Sequence, residues 1–150
     1  MSKKKKLERK AKLVRKFRKM YERAQSEWCE VRGSEIHGRG VYATKDIPKE
    51  TEVIEYVGEP INKEISEDRA WDQYAKHEER GDAAVYIFTL DKEWDIDGNV
   101  PWNTARLINH SCDPNCEAWI IGKRVYIYSL REIKRGEELT FDYGFDIECY

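Results

Sequence analysis

From Trp28 onward, the sequence consists of short apolar stretches that are repeatedly broken by glycine, proline or aspartate. Runs of this length, bounded by turn-forming residues, are typical of short β-strands. They lie at residues 53–57, 84–90, 118–121, 125–130 and 138–143. Gly122-Lys123 predicts a hairpin between the third run and the fourth. Strands and helices do not alternate along the chain, which argues against a Rossmann sheet. The pattern therefore predicts a mainly β domain of the α+β class.

Two segments have a helical pattern instead. The first places apolar residues at intervals of three and four, which predicts an amphipathic helix with a narrow apolar stripe. These residues are Leu7, Ala11, Val14, Phe17, Tyr21 and Ala24. A second, short helix is predicted to begin at Ser66, a capping residue, and to end at Gly81. We therefore divide the chain into a basic N-terminal helical extension, residues 1–27, and a domain of residues 28–150.

Charge is distributed unevenly along the 150 residues, whose formal net charge is −2. Residues 1–24 contain twelve Lys and Arg against Glu8 and Glu22, a net charge of +10, and the remainder carries −12. An acidic domain of this kind attracts basic peptides and repels polyanions. The basic segment could pack on its own domain, fold back as a substrate mimic, contact nucleic acid through residues 3–19, bind an anionic membrane or act as an import signal.

The sequence contains no apolar run close to the roughly 20 residues that span a bilayer, and the lysine-rich start is not followed by the apolar stretch of a secretory signal. We therefore expect an intracellular protein without a membrane span, located in the cytoplasm or, where the source cell has one, in the nucleus. The four cysteines are then expected to be thiols. His110, Cys112, Cys116 and Cys149 are of the types that zinc prefers, but they lack a second close pair, so no metal is expected.

Two segments are candidates for ligand binding. Residues 34–43 contain Gly38 and Gly40, whose lack of a side chain allows the backbone to approach a ligand closely. Residues 106–116, RLINHSCDPNC, join an apolar stem to seven polar or turn-forming residues, which predicts a tight loop. Each segment taken alone could also be an ordinary turn.

A third segment, residues 137–145, ends in a strand whose alternation directs Phe141 and Tyr143 to the same face. Tyr86 and Phe88 repeat this arrangement on another strand. One such pair is compatible with an aromatic core. Two pairs could form a narrow aromatic channel that suits an aliphatic amine such as a lysine side chain.

Together, and in this chain order, the three segments resemble the SET-domain family of protein-lysine methyltransferases. Residues 106–115 are similar to the family's RFINHSCxPN signature, with Leu107 where Phe is usual, and residues 136–144 match GEELTFDYG. The resemblance covers about residues 32–146. It implies a β-clip fold of small twisted sheets, whose closing segment threads under a preceding loop to form a pseudoknot. It also implies S-adenosyl-L-methionine as the methyl donor.

By matched position, the resemblance implies roles for individual residues. Those expected to hold the cofactor are His37, Gly38, Arg39, Gly40, Asn109, His110 and Tyr143. Tyr143 is also the expected catalytic residue, beside the transferred methyl group. The residues expected to line the lysine channel are Tyr86, Phe88 and Phe141. The family carries Phe or Tyr at the position of Phe141, and Phe favours di- or trimethylation.

The predicted function is methylation of lysines in basic proteins, such as histone tails, with S-adenosyl-L-methionine as cofactor. Two alternatives stay open. The domain could be a non-catalytic SET-like module that binds basic tails, or the chain could bind nucleic acid through its basic N-terminal segment. Intact Asn109, His110 and Tyr143 argue against the first, because peptide binding alone does not require this set.

Overall fold

Ten short strands and two helices make up the part of the chain that the structure describes. The structure, a computed structural model, describes residues 2–34, 36, 38–80 and 86–143, without the side chains of 77–80. The helices are α1 (Lys3–Ala24) and α2 (Lys63–Arg80). The strands are β1 (Cys29–Gly33), β2 (Arg39–Ala43), β3 (Glu52–Tyr56), β4 (Glu59–Asn62), β5 (Ile87–Thr89), β6 (Trp94–Asp97), β7 (Asn109–His110), β8 (Cys116–Ile121), β9 (Arg124–Ser129) and β10 (Thr140–Phe141). A 3-10 turn, Thr104–Leu107, precedes β7.

The strands form four small sheets rather than one large one. β1 pairs with β2, β3 with β9 and β9 with β8, and β6 lies between β4 and β5, all antiparallel. β7 and β10 form a two-residue parallel pair. The predicted hairpin at Gly122, whose φ of 64° is left-handed, is confirmed. The mainly β class is confirmed as well.

One apolar core joins the sheets. Its most buried large side chains, each at most 2% exposed, are Val41, Ile47, Val53, Ile96, Ile108, Val125, Ile127, Ile133 and Leu139. Burial of such a side chain contributes about 1.5–3 kcal/mol. Ile108 directly precedes β7, and Leu139 directly precedes β10. Because both side chains are buried in the core, the core fixes the position of the parallel pair.

Asn115 fastens the loop after β7 to the segment that leads into β10. Its side chain is 4% exposed. Nδ2 donates to the Glu138 carbonyl at 2.8 Å, and Oδ1 accepts from the Thr140 amide at 2.9 Å. Its own amide donates to Thr140 Oγ1 at 3.3 Å. A pseudoknot would require such a connection, although passage of the chain under the loop stays a prediction.

Replacing Asn115 by alanine is expected to lower the free energy of unfolding by about 2–4 kcal/mol, because two backbone groups lose their partners at a buried site. Urea denaturation measures this difference. Asn99→Ala, at an exposed position, is the control. A loss under about 0.5 kcal/mol for Asn115→Ala, as for an ordinary surface substitution, would contradict this role.

The helices differ from their predicted bounds in one respect. α1 is confirmed, and Ser2 caps it by accepting from the Lys5 amide at 3.2 Å. α2 begins at Lys63 and has 18 residues, so the prediction of a short helix that begins at Ser66 is wrong. The Asn62 side chain accepts from the Ile65 amide at 2.9 Å and takes the capping place, while Ser66 donates its hydroxyl to buried Asp95. Within the described residues, neither helix has a stretch long and apolar enough to cross a bilayer.

Candidate active site

The glycine turn lies between β1 and β2, as its residue pattern predicts. Gly38 has a φ of 48°, and a Cβ placed there would meet no atom within 4 Å, so the backbone is open on that side. A Cβ at Gly40 would lie 2.7 Å from Glu138 Oε2, which only glycine avoids. His37 lies outside the described residues, so its predicted part in cofactor binding stays a prediction.

Asn109 joins the glycine turn to the segment before β10. Its Nδ2 lies within hydrogen-bond distance of the Arg39 carbonyl at 3.1 Å, Ser34 Oγ at 3.1 Å and Glu138 Oε2 at 2.8 Å. The half-buried Glu138 carboxylate also accepts from Ser34 Oγ at 2.6 Å and from the Tyr42 hydroxyl at 2.9 Å. Three segments that are distant in sequence thus meet at one polar cluster.

Three of the four predicted aromatic residues form a continuous row of rings. The ring of Phe88 lies 6.5 Å from that of Phe141, and the ring of Phe141 lies 4.8 Å from that of Tyr143. The row extends to His110, 5.2 Å from Tyr143. At its other end, Tyr56 lies 5.6 Å from Phe88. The two aromatic pairs that alternation places on separate strands are therefore in contact.

Tyr86 is held at the same place by its backbone and its ring. Its amide donates to Gln73 Oε1 of α2 at 2.9 Å, and its carbonyl accepts from the Tyr56 hydroxyl at 2.8 Å. The Arg106 guanidinium lies 5.7 Å from the centre of its ring. Tyr86 is also close enough to Tyr143 to raise the pKa of that phenol.

The Tyr143 side chain is 36% exposed and its hydroxyl donates to the carbonyl of buried Ile108. Burial, followed by the fields of Tyr86 and Glu138, raises the pKa of Tyr143 to about 12. The phenol is therefore neutral near pH 7 and acts as a hydrogen-bond donor. The Tyr143 amide donates to His110 Nδ1 at 3.1 Å, which makes this nitrogen an acceptor and fixes the orientation of the ring.

Sequence reasoning missed three residues of this site: Tyr56, Arg106 and Glu138. Tyr56 is 4% exposed, and burial raises its pKa well above the usual range. It lies in a run that alternation describes only as a core strand, so its ring gives no separate signal. The related sequence feature is the glycine at position 98, because a Cβ there would lie 2.4 Å from the Tyr56 ring. The Arg106 and Glu138 contacts depend on tertiary structure that spacing does not contain.

The cysteines only partly agree with the expectation of thiols. Cys29 and Cys116 are buried and free. Cys112 is disulfide-bonded, so the expectation is wrong for this residue, which its spacing in the sequence did not indicate. Among the described residues, no three His, Cys, Asp or Glu side chains cluster as a metal site would require.

Burial raises the pKa of the Cys29 thiol to about 11 and that of Cys116 to about 12. Since the thiolate is the reactive form, we expect both to resist iodoacetamide at pH 8 in the folded chain and to react in urea. The raised values stabilise the fold below the unfolded pKa of about 8.5, and this contribution is lost as the pH rises through the folded values. Peptide mass spectrometry measures the labelling. Equal labelling with and without urea would contradict burial.

The site combines the glycine turn, the segment 106–116 and the aromatic row. The parallel pair of β7 and β10 joins them among small sheets, an arrangement that defines the SET-domain class. Residues 38–144 match the model of this family, the SET domain. The chain therefore belongs to the SET-domain family, as the signatures predict.

Curated relatives have the same region. The chain is 42% identical over 135 residues to histone-lysine N-methyltransferase trr of Drosophila melanogaster, covering 85% of the chain and 5% of that protein. It is 45% identical over 119 residues to histone-lysine N-methyltransferase, H3 lysine-4 specific, of Chaetomium globosum, covering 77% and 11%. It is 42% identical over 119 residues to histone-lysine N-methyltransferase set-2 of Caenorhabditis elegans, covering 77% and 8%. The chain thus spans about a tenth or less of the length of these relatives.

Proposed function

We propose that this chain is a protein-lysine N-methyltransferase that uses S-adenosyl-L-methionine and acts on lysines of basic proteins such as histone tails. The observation that carries the proposal is the position of Tyr143 in a SET domain, where its ring contacts Phe141 and also His110, the chain neighbour of Asn109. The relatives are named histone-lysine N-methyltransferases. The charge of −12 on residues 25–150 favours a basic substrate over a polyanion.

The residues present fit the cofactor. The backbone at Gly38 is open on the side where a Cβ would project, so a ligand can approach it closely there. Asn109 Nδ2 lies within hydrogen-bond distance of three acceptors, which fixes the orientation of its carboxamide beside the glycine turn. We therefore assign cofactor binding to the backbone of residues 38–40 together with Asn109 and His110. When bound, the cofactor supplies an electrophilic methyl group on a positively charged sulfur.

The aromatic row makes a lysine amine reactive. A free lysine has a pKa of about 10.4 and is almost wholly protonated at neutral pH. Walls formed by Tyr86, Phe88 and Phe141 exclude water and disfavour the ammonium form, which lowers its pKa. The positive charge of Arg106, next to Tyr86, acts in the same direction. The walls also hold the nitrogen in line for attack.

Tyr143 polarises the site through its hydroxyl. Because its raised pKa keeps the phenol neutral, we do not assign it as the group that accepts the lysine proton at neutral pH. Water takes that proton instead. The hydroxyl donates to the Ile108 carbonyl, which supports a role for these two oxygen atoms in orienting the amine.

Phe141→Tyr is expected to shift the products from di- and trimethyllysine toward monomethyllysine. The added hydroxyl would hydrogen-bond a partly methylated amine, or a water beside it, and hinder rotation for the next transfer. Phe141 is 5% exposed and contacts Tyr143, so the new group enters a confined space. Mass spectrometry of the product peptide counts the methyl groups. An unchanged distribution would contradict this role of Phe141.

Incubation of the full chain with labelled S-adenosyl-L-methionine and a panel of basic proteins tests the proposal, with cofactor binding measured separately by calorimetry. Transfer to lysine supports it. Binding of both cofactor and peptide without transfer would favour the non-catalytic module. A cytoplasmic location, or a nuclear one where the cell has a nucleus, stays a prediction.

A further inference from the structure

Helix α1 extends away from the domain along most of its length. Within the described residues, its contacts with the domain lie at its C-terminal end. Met20 is 6% and Ala24 1% exposed, and both pack with Val57. The Phe17 ring lies 5.7 Å from Trp102, and Arg23 forms an ion pair with Glu55. Every residue from 2 to 19 is exposed, so the packing of α1 on its own domain accounts only for its last two turns.

The exposed part of α1 is strongly basic. Residues 3–19 contain eleven Lys and Arg against Glu8, a net charge of +10. Five of them are spaced by four and three residues and therefore lie on one face of the helix, within about 80° of one another at 100° per residue. These five are Lys5, Arg9, Lys12, Lys16 and Lys19. At a rise of about 1.5 Å per residue this basic face is about 21 Å long.

The charge and shape of this face fit the phosphate backbone of a double helix. Duplex DNA carries one negative charge per about 1.7 Å of its axis, so a face of about 21 Å lies beside a dozen phosphates. Lysines and arginines on both flanks of the face add contacts, whereas Glu8 is the one acidic residue of this segment. An isolated salt bridge to a protein partner would use only a small part of this charge.

A membrane surface fits less well, because an interfacial helix needs a broad apolar face opposite its basic one. In residues 3–16 the large apolar side chains are Leu7, Leu13 and Val14. Leu7 and Val14 share only the narrow apolar stripe, Leu13 lies about 100° or more around the helix from both, and Phe17 packs on Trp102, so the segment has no broad apolar face. A substrate mimic is also disfavoured, since Lys3–Lys6 are in an exposed helix rather than in an extended segment.

We propose that residues 3–19 of α1, the basic arm, bind duplex DNA and hold the domain next to a basic protein substrate carried on that DNA. Residues 25–150 carry a net charge of −12 and repel DNA, so the arm is the part that makes the contact. DNA binding is independent of the proposed function, whereas the link to a substrate rests on the proposed function.

The base of the arm lies near the residues assigned to the lysine channel. Phe17 contacts Trp102, and Trp102 is followed by buried Asn103. Arg106 donates to the Asn103 carbonyl at 3.1 Å and lies over the Tyr86 ring. A protein bound to the same DNA is therefore brought to the side of the domain where Tyr86 lies.

Fluorescence anisotropy of the full chain with a labelled DNA duplex, repeated over a range of salt concentrations, tests the binding. The variant Arg9→Gln/Lys12→Gln/Lys16→Gln removes three charges from the basic face and keeps helix propensity. We expect the slope of log affinity against log salt to become less steep by about 2.7, and the affinity to fall about tenfold or more. The matched control, Lys49→Gln/Lys92→Gln/Arg135→Gln, removes three exposed charges from the domain and should change affinity less than about twofold.

The proposal is wrong if the wild-type chain does not bind the duplex, if both triple variants lose the same affinity, or if anionic phosphatidylserine vesicles bind in preference to DNA. Circular dichroism verifies that the variants keep their helix.

In a second assay, methyl transfer to a basic protein is compared with and without DNA. Stimulation by DNA that the arm variant loses supports the link to substrate, and its absence refutes that link. If no transfer occurs under any condition, the proposed function fails while DNA binding by the arm is judged on the anisotropy alone.

Discussion

Tyr143→Phe is expected to lower the rate of methyl transfer by about 10²–10³-fold, the usual cost of removing one preorganised polar group at a reacting centre. The variant loses only the hydroxyl that donates to the Ile108 carbonyl. The ring contacts with Phe141 and His110 are kept, so the lysine channel retains its shape. Turnover measured at saturating cofactor and peptide reports this loss directly.

Tyr128→Phe is the matched control, since its ring contacts Trp119 on the β8–β9 hairpin, away from the site. It should retain turnover within about twofold, as surface substitutions do. Calorimetry should find that Tyr143→Phe still binds the cofactor, with an affinity that changes far less than turnover does. Equal turnover of Tyr143→Phe and the wild type would show that the hydroxyl has no part in the reaction.

Asn109→Ala is expected to weaken cofactor binding about 10–100-fold, because it removes the amide donor to the Glu138 carboxylate, and a hydrogen bond to a charged group contributes about 1.5–3 kcal/mol. The partners that lose a donor are the Arg39 carbonyl, Ser34 Oγ and the Glu138 carboxylate. The glycine turn then loses its connection to β7, so the open backbone at Gly38 is no longer held in position. Calorimetric titration with S-adenosyl-L-methionine measures the change.

Asn99→Ala, an exposed Asn-to-Ala change on another loop, is the control for Asn109→Ala and should bind the cofactor normally. Asn109→Asp is a sharper variant, because it places a second carboxylate beside Glu138 and removes the amide donor. It should bind more weakly than Asn109→Ala. Wild-type affinity in both Asn109 variants would remove this residue from the cofactor site.

The family and the mainly β class could be predicted from the sequence, because the signatures at 106–115 and 136–144 are specific in residue type and order, whereas the roles of the individual site residues stay predictions. The contact between these two signature segments could not be predicted from the residue pattern. It arises from the parallel pairing of β7 with β10, whose residues Asn109 and Thr140 are far apart in the chain. The resemblance supplied that contact as an expectation, and periodicity alone would have left two separate turns.

Local signals also misplaced some elements. Ser66 has the residue type of a helix cap, but Asn62 caps α2 instead, because its side chain accepts from the Ile65 amide in the first turn of the helix. The last strand is short, Thr140–Phe141, although the apolar alternation continues on both sides of it. Tyr56 was read only as part of a strand, since its hydroxyl partner, the Tyr86 carbonyl, lies 30 residues away. Ser66 and Tyr56 thus have tertiary partners, Asp95 and the Tyr86 carbonyl, that a local pattern does not contain.

The charge of the chain is divided between two parts of the structure. The net charge of −2 describes neither part of the chain, because α1 is basic and the domain is acidic. Among the residues that the structure describes, the contacts between the two parts lie at the end of α1 and include the ion pair of Arg23 with Glu55. The proposed basic substrate and the proposed DNA contact therefore use surfaces of opposite sign.

The central claim, that this SET domain transfers methyl groups to lysine, is tested most directly by mass spectrometry of core histones after incubation with the full chain and S-adenosyl-L-methionine bearing a deuterated methyl group. The account predicts deuterated methyl groups on lysine side chains, two or three on one nitrogen, and strongly reduced incorporation with Tyr143→Phe. Undetectable incorporation by a folded chain that binds both cofactor and histone, or incorporation that Tyr143→Phe leaves unchanged, would contradict it.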